Sequence, residues 1–464
     1  MTLTAHAHFD VIDPADESII SAVPDHGPAD ADHAVEAARS AAPAWRALSS
    51  RERSDVLLRA FDIMMSRRDE LAALISRENG KARADALAEV TYAAEYFRWY
   101  AEEAVRVRGE HFDNPTGSTK VLVSHEPVGI CVLVTPWNFP AAMATRKIGP
   151  ALAVGCTAIL KPAAETPLTA LAIADILEEA GLPDGVLTVL TTRSAGPLVD
   201  RLLEHDDVRM LSFTGSTEVG RHLLERASRR VLRTAMELGG NAPFLVLGDT
   251  DVDAAVDGAL LAKMRNGGQA CTAANRFYVH DSIYDAFADA LTERMRSLHV
   301  GPASDATVDV GPLVNAKSVS KVRELVEDAV QRGARVLTGG EAPDGPGFFY
   351  PPTVLADVPA DARILHEEVF GPVAPLVRFS SEDEAVAAAN ATIYGLVSYL
   401  YTDDLRKGLA IAGRLESGMV ALNRGLVSDP AAPFGGVKES GIGREGSTEG
   451  LHEYLETKYV ATNW

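Results

Sequence analysis

The chain has 464 residues, 47% of them hydrophobic and 23% charged, and its formal net charge is −21. That length exceeds what one hydrophobic core usually holds, so two or three units are expected. The acidic balance argues against a nucleic-acid or anionic-membrane partner, and no apolar run reaches the roughly 18 residues of a membrane span.

The first hundred residues read as helical. Asp30 to Glu36 opens an alanine-rich helix, and helical apolar spacing from Arg51 to Glu78 predicts one long helix that Asn79-Gly80 stops. A third helix, from Lys81 to about Val107, carries Tyr92, Tyr96, Phe97, Trp99 and Tyr100. Such an aromatic stripe is expected to be core. Val121 to His125 alternates as a strand and reads as a hairpin arm leaving the main body.

From Val128 to Leu238 short apolar runs alternate with amphipathic helices. Strands are predicted at 130–134, 158–160, 186–190 and 210–213, with helices between them and another opening at Thr217. This alternation predicts an α/β, doubly wound, mostly parallel sheet that binds a nucleotide beyond the carboxyl ends of its strands. The G-x-G-x-x-G fingerprint is absent, so other features must carry that reading.

Thr135-Pro136-Trp137-Asn138-Phe139-Pro140 fixes an amide between two prolines. It suits a donor to a developing oxyanion, or a rigid plug at a domain junction. Lys161 directly follows a strand, as a ribose or phosphate contact or a solvated loop lysine. In Phe213-Thr214-Gly215-Ser216-Thr217 a strand ends in a turn that opens a helix, which suits a pyrophosphate or an ordinary cap. Glu237-Leu238-Gly239-Gly240 offers a carboxylate as a general base if an apolar pocket raises its pKa, or as an exposed loop residue.

After Asn241 the alternation restarts, predicting a second α/β unit of about 190 residues. In it, Met264 to Cys271 leaves a helix, crosses Gly267-Gly268 and presents a thiol before the strand at 277–279. Taken alone, Cys271 reads equally as a nucleophile or as a structural thiol. Cys131 and Cys156 lie in apolar runs and read as inert core residues. With no CxxC spacing, no disulfide framework or metal site is expected, and the setting is a reducing cytoplasm. A tail strand at 456–460 is expected to pair with Val121 to His125 as a small oligomerisation flap.

Pro136-Trp-Asn-Phe-Pro140, Lys161-Pro, Phe213-Thr-Gly-Ser216, Glu237-Leu-Gly-Gly240, Gly268-Gln-x-Cys271, Glu368-Val-Phe-Gly-Pro372 and Pro433-Phe-Gly-Gly436 occur in this order. Together they resemble the aldehyde dehydrogenase superfamily. Asn241-Ala-Pro-Phe, Thr145-Arg146-Lys147, Arg265-Asn266 and Lys438 to Ser447 are most similar to its succinate-semialdehyde branch.

The resemblance implies a dinucleotide-binding domain over 1–112 and 129–240, a catalytic domain over 241–440, and an oligomerisation flap from 113–128 and 441–464. It implies Cys271 as the nucleophile, Asn138 with the Cys271 amide as the oxyanion donors, and Glu237 as the base that activates water against a thioester. The product is then a carboxylic acid. Cofactor contacts fall on Trp137, Lys161, Ala164, Gly215, Ser216, Glu368 and Phe370, and Lys147 and Glu445 lie near a proton path. Ala164 stands where NAD-preferring relatives carry glutamate, so NADP is favoured with NAD tolerated.

For the substrate the resemblance points to Arg146, Arg265 and Ser428 as a clamp for a terminal carboxylate. Oxidation of succinate semialdehyde follows. Glutarate semialdehyde, an aminoaldehyde or another aliphatic aldehyde stays open. Arg424 departs from the pattern, and Ala273 removes a second cysteine found in some members. A homodimer or homotetramer is implied.

Overall fold

The computed structural model describes residues 7–463. Strands buried on both faces, such as Ile130–Val134, appear as unbroken apolar runs because helices cover each side of a parallel sheet. The first sheet has six strands in the order Gly441–Ile442, Arg233–Glu237, Val208–Thr214, Ile130–Val134, Thr157–Lys161 and Leu187–Val189. All its pairings are parallel except that of Gly441–Ile442 with Met236 and Glu237. The chain reverses its direction of strand addition between Ile130–Val134 and Val208–Thr214. A crevice therefore opens beyond Val134 and Thr214, where doubly wound sheets bind ligands.

The second sheet has seven strands: Arg335–Thr338, Thr353–Ala356, Val373–Phe379, Ala274–His280, Ala242–Val246, Val397–Tyr401 and Met419–Leu422. Only the first pairs antiparallel. The expected pair of α/β units is present, and the amino ends of Ala242–Val246 and Ala274–His280 follow the Gly240 and Cys271 loops.

Three strands, Leu455–Thr462, Lys120–Pro127 and Glu110–Asp113, form a separate antiparallel sheet. Leu455 faces Pro127 and Thr462 faces Lys120, so the tail strand pairs as the alternation predicts. The sheet differs from the expected segments at both ends. It gains Glu110–Asp113, while Gly441–Ile442 joins the first sheet and Ser447–His452 forms a helix.

The expected long helix after Arg51 is two, Ser50–Ser66 and Arg68–Asn79, broken at Arg67 with φ −102° and ψ 19°. No glycine or proline marks that break. A hairpin of His8–Ile12 and Ile19–Pro24 precedes the helices and is not among the expected elements. The helix Arg83–Ala104 buries Tyr96, Phe97 and Tyr100 completely, each contributing about 1.5–3 kcal/mol. This aromatic floor packs on Pro140–Val154, a helix buried along its whole length. Proline at its first position and Gly155 in the left-handed region after its end fix its limits. That helix carries Arg146 and Lys147. Cys131 and Cys156 are buried thiols, and among the described residues no helix is long and apolar enough to cross a membrane.

Candidate active site

The crevice contains a cavity of about 250 Å³. From the first sheet it receives Pro136, Trp137 and Asn138 after one strand and Thr214, Gly215 and Ser216 after its neighbour. Cys271, Glu368 and Phe370 close the opposite side. Two close approaches make that closure possible. A Cβ on Gly240 would lie 2.3 Å from the Cys271 carbonyl oxygen, and one on Gly268 would lie 2.2 Å from that of Gly371. Glycine at both positions lets the loops around Glu237, Cys271 and Glu368 meet.

Asn138 is buried, and its Nδ2 donates to the Gln269 carbonyl at 3.2 Å. Its own carbonyl accepts from Lys81 Nζ at 2.7 Å and from Asn266 Nδ2 at 2.8 Å. Asn266 adopts φ 53°, a left-handed conformation that asparagine tolerates. Lys81 is itself paired with buried Glu89 and lies 4.1 Å over the Phe139 ring. Glu89 also accepts from the Ala141 and Ala142 amides at 2.8 and 3.3 Å, the first turn of the Pro140–Val154 helix. No motif points to this support for Asn138. The lysine after a helix-ending Asn-Gly is its only trace in the sequence.

Cys271 is half-buried. Burial pushes its thiol up to about 12, against the pull of Arg146 and Arg265 and with a further push from Glu368 and Glu237. Glu237 ends its strand 3% exposed, and neither carboxylate oxygen has a hydrogen-bond partner among the described residues. Burial, then Glu445, holds its carboxyl well above the usual range, opposed by Arg146, Lys147 and Arg444. Behind it Glu445 pairs with both Arg146 and Lys147, and Lys147 Nζ donates to Ser212 Oγ at 2.9 Å. A carboxylate whose pKa burial raises, next to a thiol, an amide donor and a buried charge cluster, suits acyl chemistry with proton transfer.

The expected residues fall into three groups. Trp137, Asn138, Gly215, Ser216, Cys271, Glu368 and Phe370 share the cavity, where the Trp137 and Phe370 rings meet edge to face at 5.4 Å. Ser216 caps the helix Thr217–Ser228, its Oγ accepting from the Val219 amide at 3.4 Å. Glu368 accepts from the Gly240 amide at 3.1 Å, and burial raises its carboxyl to about 7 against Lys263. Burial in turn lowers Lys263 to about 7.

Lys161 ends its strand 7% exposed, and its ammonium makes no ion pair or hydrogen bond with the other described residues. A buried, unpartnered ammonium at a carboxyl edge, a helix N-terminus and an unpaired Thr214 hydroxyl fit the sugar and phosphates of a dinucleotide. Ala164 lines a different cavity, beside Phe9, Glu165 and Arg193.

The third group surrounds Arg265, whose charge acts on Cys271. Arg265 Nη1 donates to Ser428 Oγ at 3.1 Å, and its guanidinium sits 4.6 Å over Phe139 and 5.6 Å over Tyr92. Arg146, expected beside it, is instead committed to Glu445 and lies 4.5 Å over Phe434. A guanidinium this buried needs such a partner. Arg265 is thus the guanidinium of the two that has no carboxylate partner among the described residues.

The aldehyde dehydrogenase family model matches residues 2–460. A succinate-semialdehyde dehydrogenase of Paenarthrobacter nicotinovorans is 51% identical over 93% of this chain and 96% of its own. A glutarate-semialdehyde dehydrogenase of Pseudomonas aeruginosa is 48% identical over 97% and 93%. A crystal structure of an Escherichia coli NADP-dependent enzyme superimposes with a TM-score of 0.97 at 47% identity, covering 99% of this chain and 95% of that one. By motif order, by fold and by these likenesses, the chain belongs to the aldehyde dehydrogenase family.

Proposed function

We propose that the protein oxidises succinate semialdehyde to succinate with NADP, tolerating NAD. The observation that carries this reading is the half-buried Arg265 guanidinium, held by Ser428 six residues before a thiol that shares its cavity with Asn138. A guanidinium fork matches a carboxylate in shape and charge. An aldehyde anchored by its carboxylate on Arg265 and Ser428 places its other end at Cys271.

Cys271 Sγ attacks the carbonyl carbon, and Asn138 Nδ2 with the Cys271 amide holds the resulting oxyanion. Such a donor typically supplies about 3 kcal/mol. The bound nicotinamide dinucleotide supplies the acceptor for the aldehyde hydrogen. Glu237 then removes a proton from the water that attacks the Cys271 thioester, and its unpaired oxygens make it ready to accept one. Arg146, neutralised in part by Glu445, supplies positive potential that favours the Cys271 thiolate and, together with Lys147, ionised Glu237.

Trp137, Lys161, Gly215, Ser216, Glu368 and Phe370 hold the cofactor. Ala164 places no carboxylate where it would repel a 2′-phosphate. Under this reading the first sheet with the N-terminal helices binds the dinucleotide, and the second provides the nucleophile. Exposed Phe112, Leu122, Tyr459 and Val460 on the three-stranded sheet support its use as a flap in a homodimer or homotetramer. The three free cysteines suit a cytoplasmic setting.

Initial rates with four- and five-carbon ω-carboxy aldehydes, an aminoaldehyde and hexanal, each with NADP and NAD, test the assignment. Highest kcat/KM for succinate semialdehyde with NADP is expected. A preference for hexanal overturns it.

A further inference from the structure

A second cavity of about 390 Å³ opens after the strand Met419–Leu422. Its walls mix polar and apolar groups, and two of its residues belong to the cluster around the nucleophile. Ser428 accepts the hydrogen bond of Arg265, and the Phe434 ring carries the Arg146 guanidinium. The cavity is therefore a vestibule whose inner wall is the carboxylate clamp.

Arg424 stands on this vestibule. It is exposed, and among the described residues it makes no hydrogen bond, ion pair or ring contact. The protein has 65 acidic side chains against 44 lysines and arginines, and many of its surface arginines pair with carboxylates. Arg424 is thus a cation on the cavity wall with no carboxylate partner among the described residues. One other charge lies on the wall, Asp429, whose carboxylate accepts from the Ala431 amide at 2.9 Å and closes a local turn.

Arg424 and Ser428 are four positions apart in the chain, so their Cα atoms are at most about 14 Å apart. Arg424 and, through Ser428, Arg265 thus border the same cavity. A four-carbon ω-carboxy aldehyde reaching Cys271 ends at Arg265. Added methylenes occupy the apolar wall of Leu426, Val427 and Pro433 and carry the carboxylate toward Arg424.

We propose that Arg424 is a specificity-determining residue that receives the distal carboxylate of ω-carboxy aldehydes longer than four carbons. The proposal rests on Arg265 and Ser428 acting as the carboxylate clamp. In a protein of net charge −21, a cation at the mouth also raises the local concentration of an anionic substrate.

The test compares the wild-type enzyme with Arg424→Ala, Arg424→Glu and Arg424→Lys on glutarate semialdehyde, succinate semialdehyde and pentanal. For glutarate semialdehyde, Arg424→Ala lowers kcat/KM about threefold and Arg424→Glu about tenfold at low salt, the range for an exposed pair with steering. Arg424→Lys restores most of it, and salt at about 0.5 M narrows the differences. Pentanal is unchanged and succinate semialdehyde moves less than the five-carbon substrate.

Equal losses on glutarate semialdehyde and pentanal, or no loss on either, overturn the proposal. If the wild type prefers carboxylated aldehydes and Arg424→Glu changes nothing, the role of Arg424 alone fails. If the wild type handles pentanal as well as the carboxylated pair, the clamp reading fails and takes this proposal with it.

Discussion

The guanidinium of Arg265 donates to the hydroxyl of Ser428 across 3.1 Å, although 163 residues separate them in the chain. The contact joins the loop that delivers Cys271 to the loop after the last strand of the second sheet. Removing Arg265 leaves a substrate carboxylate without its charged partner, a loss of about 1.5–3 kcal/mol. Arg265→Ala is therefore expected to lower kcat/KM for succinate semialdehyde by roughly 10- to 150-fold while leaving hexanal unchanged. Steady-state kinetics on the two aldehydes checks this. Ser428→Ala, which keeps the charge, costs less.

Glu237 should divide the reaction in two. Without a carboxylate to activate water, the thioester still forms but hydrolyses slowly, so Glu237→Gln is expected to lower kcat by about 10² to 10⁴. A rapid first turnover of reduced cofactor, close to one per site, remains visible in stopped flow. The sign of the pH effect comes from the raised carboxyl: below its pKa Glu237 is neutral and cannot accept a proton. Wild-type kcat accordingly rises with pH on a limb above the ordinary carboxylate range, and Glu237→Gln removes that limb.

Glu368 gives an independent titration. Its carboxyl is raised to about 7 by burial, so the acceptor form that would bind ribose hydroxyls is complete only above that pH. KM for NADP is expected to fall as pH rises through about 7 and to lose this dependence in Glu368→Gln. The readout is cofactor KM against pH at saturating aldehyde.

Glu445 is shared by buried Arg146 and Lys147. Glu445→Gln leaves two buried cations with an amide between them, which should cost about 3–5 kcal/mol of stability. Thermal unfolding against the exposed control Glu456→Gln measures it. Because Glu445 also pushes the Glu237 carboxyl up, the surviving enzyme should show the rising limb of kcat at lower pH.

Motif order made the cavity legible, because strand-ending segments such as Val134-Thr-Pro and Phe213-Thr-Gly specify both a strand and the turn that ends it. The pairing of the tail with Lys120–Pro127 was legible from alternation alone. The break at Arg67 was not, since it lacks a glycine or proline. Nor was the commitment of Arg146 to Glu445, or the support of Asn138 by Lys81 and Glu89, because such contacts depend on how distant helices dock. The separation of Ala164 from the main cavity likewise depends on how the N-terminal hairpin docks, which brings Phe9 beside it.

The central claim is that the Cys271 sulfur becomes acylated during turnover. Glu237→Gln enzyme mixed with succinate semialdehyde and NADP, quenched in acid and digested, shows by mass spectrometry which residue carries the acyl group. The account predicts a succinyl thioester on the Cys271 peptide, absent without cofactor and absent in Glu237→Gln/Cys271→Ser. An unmodified Cys271 peptide alongside stoichiometric formation of reduced cofactor would contradict it.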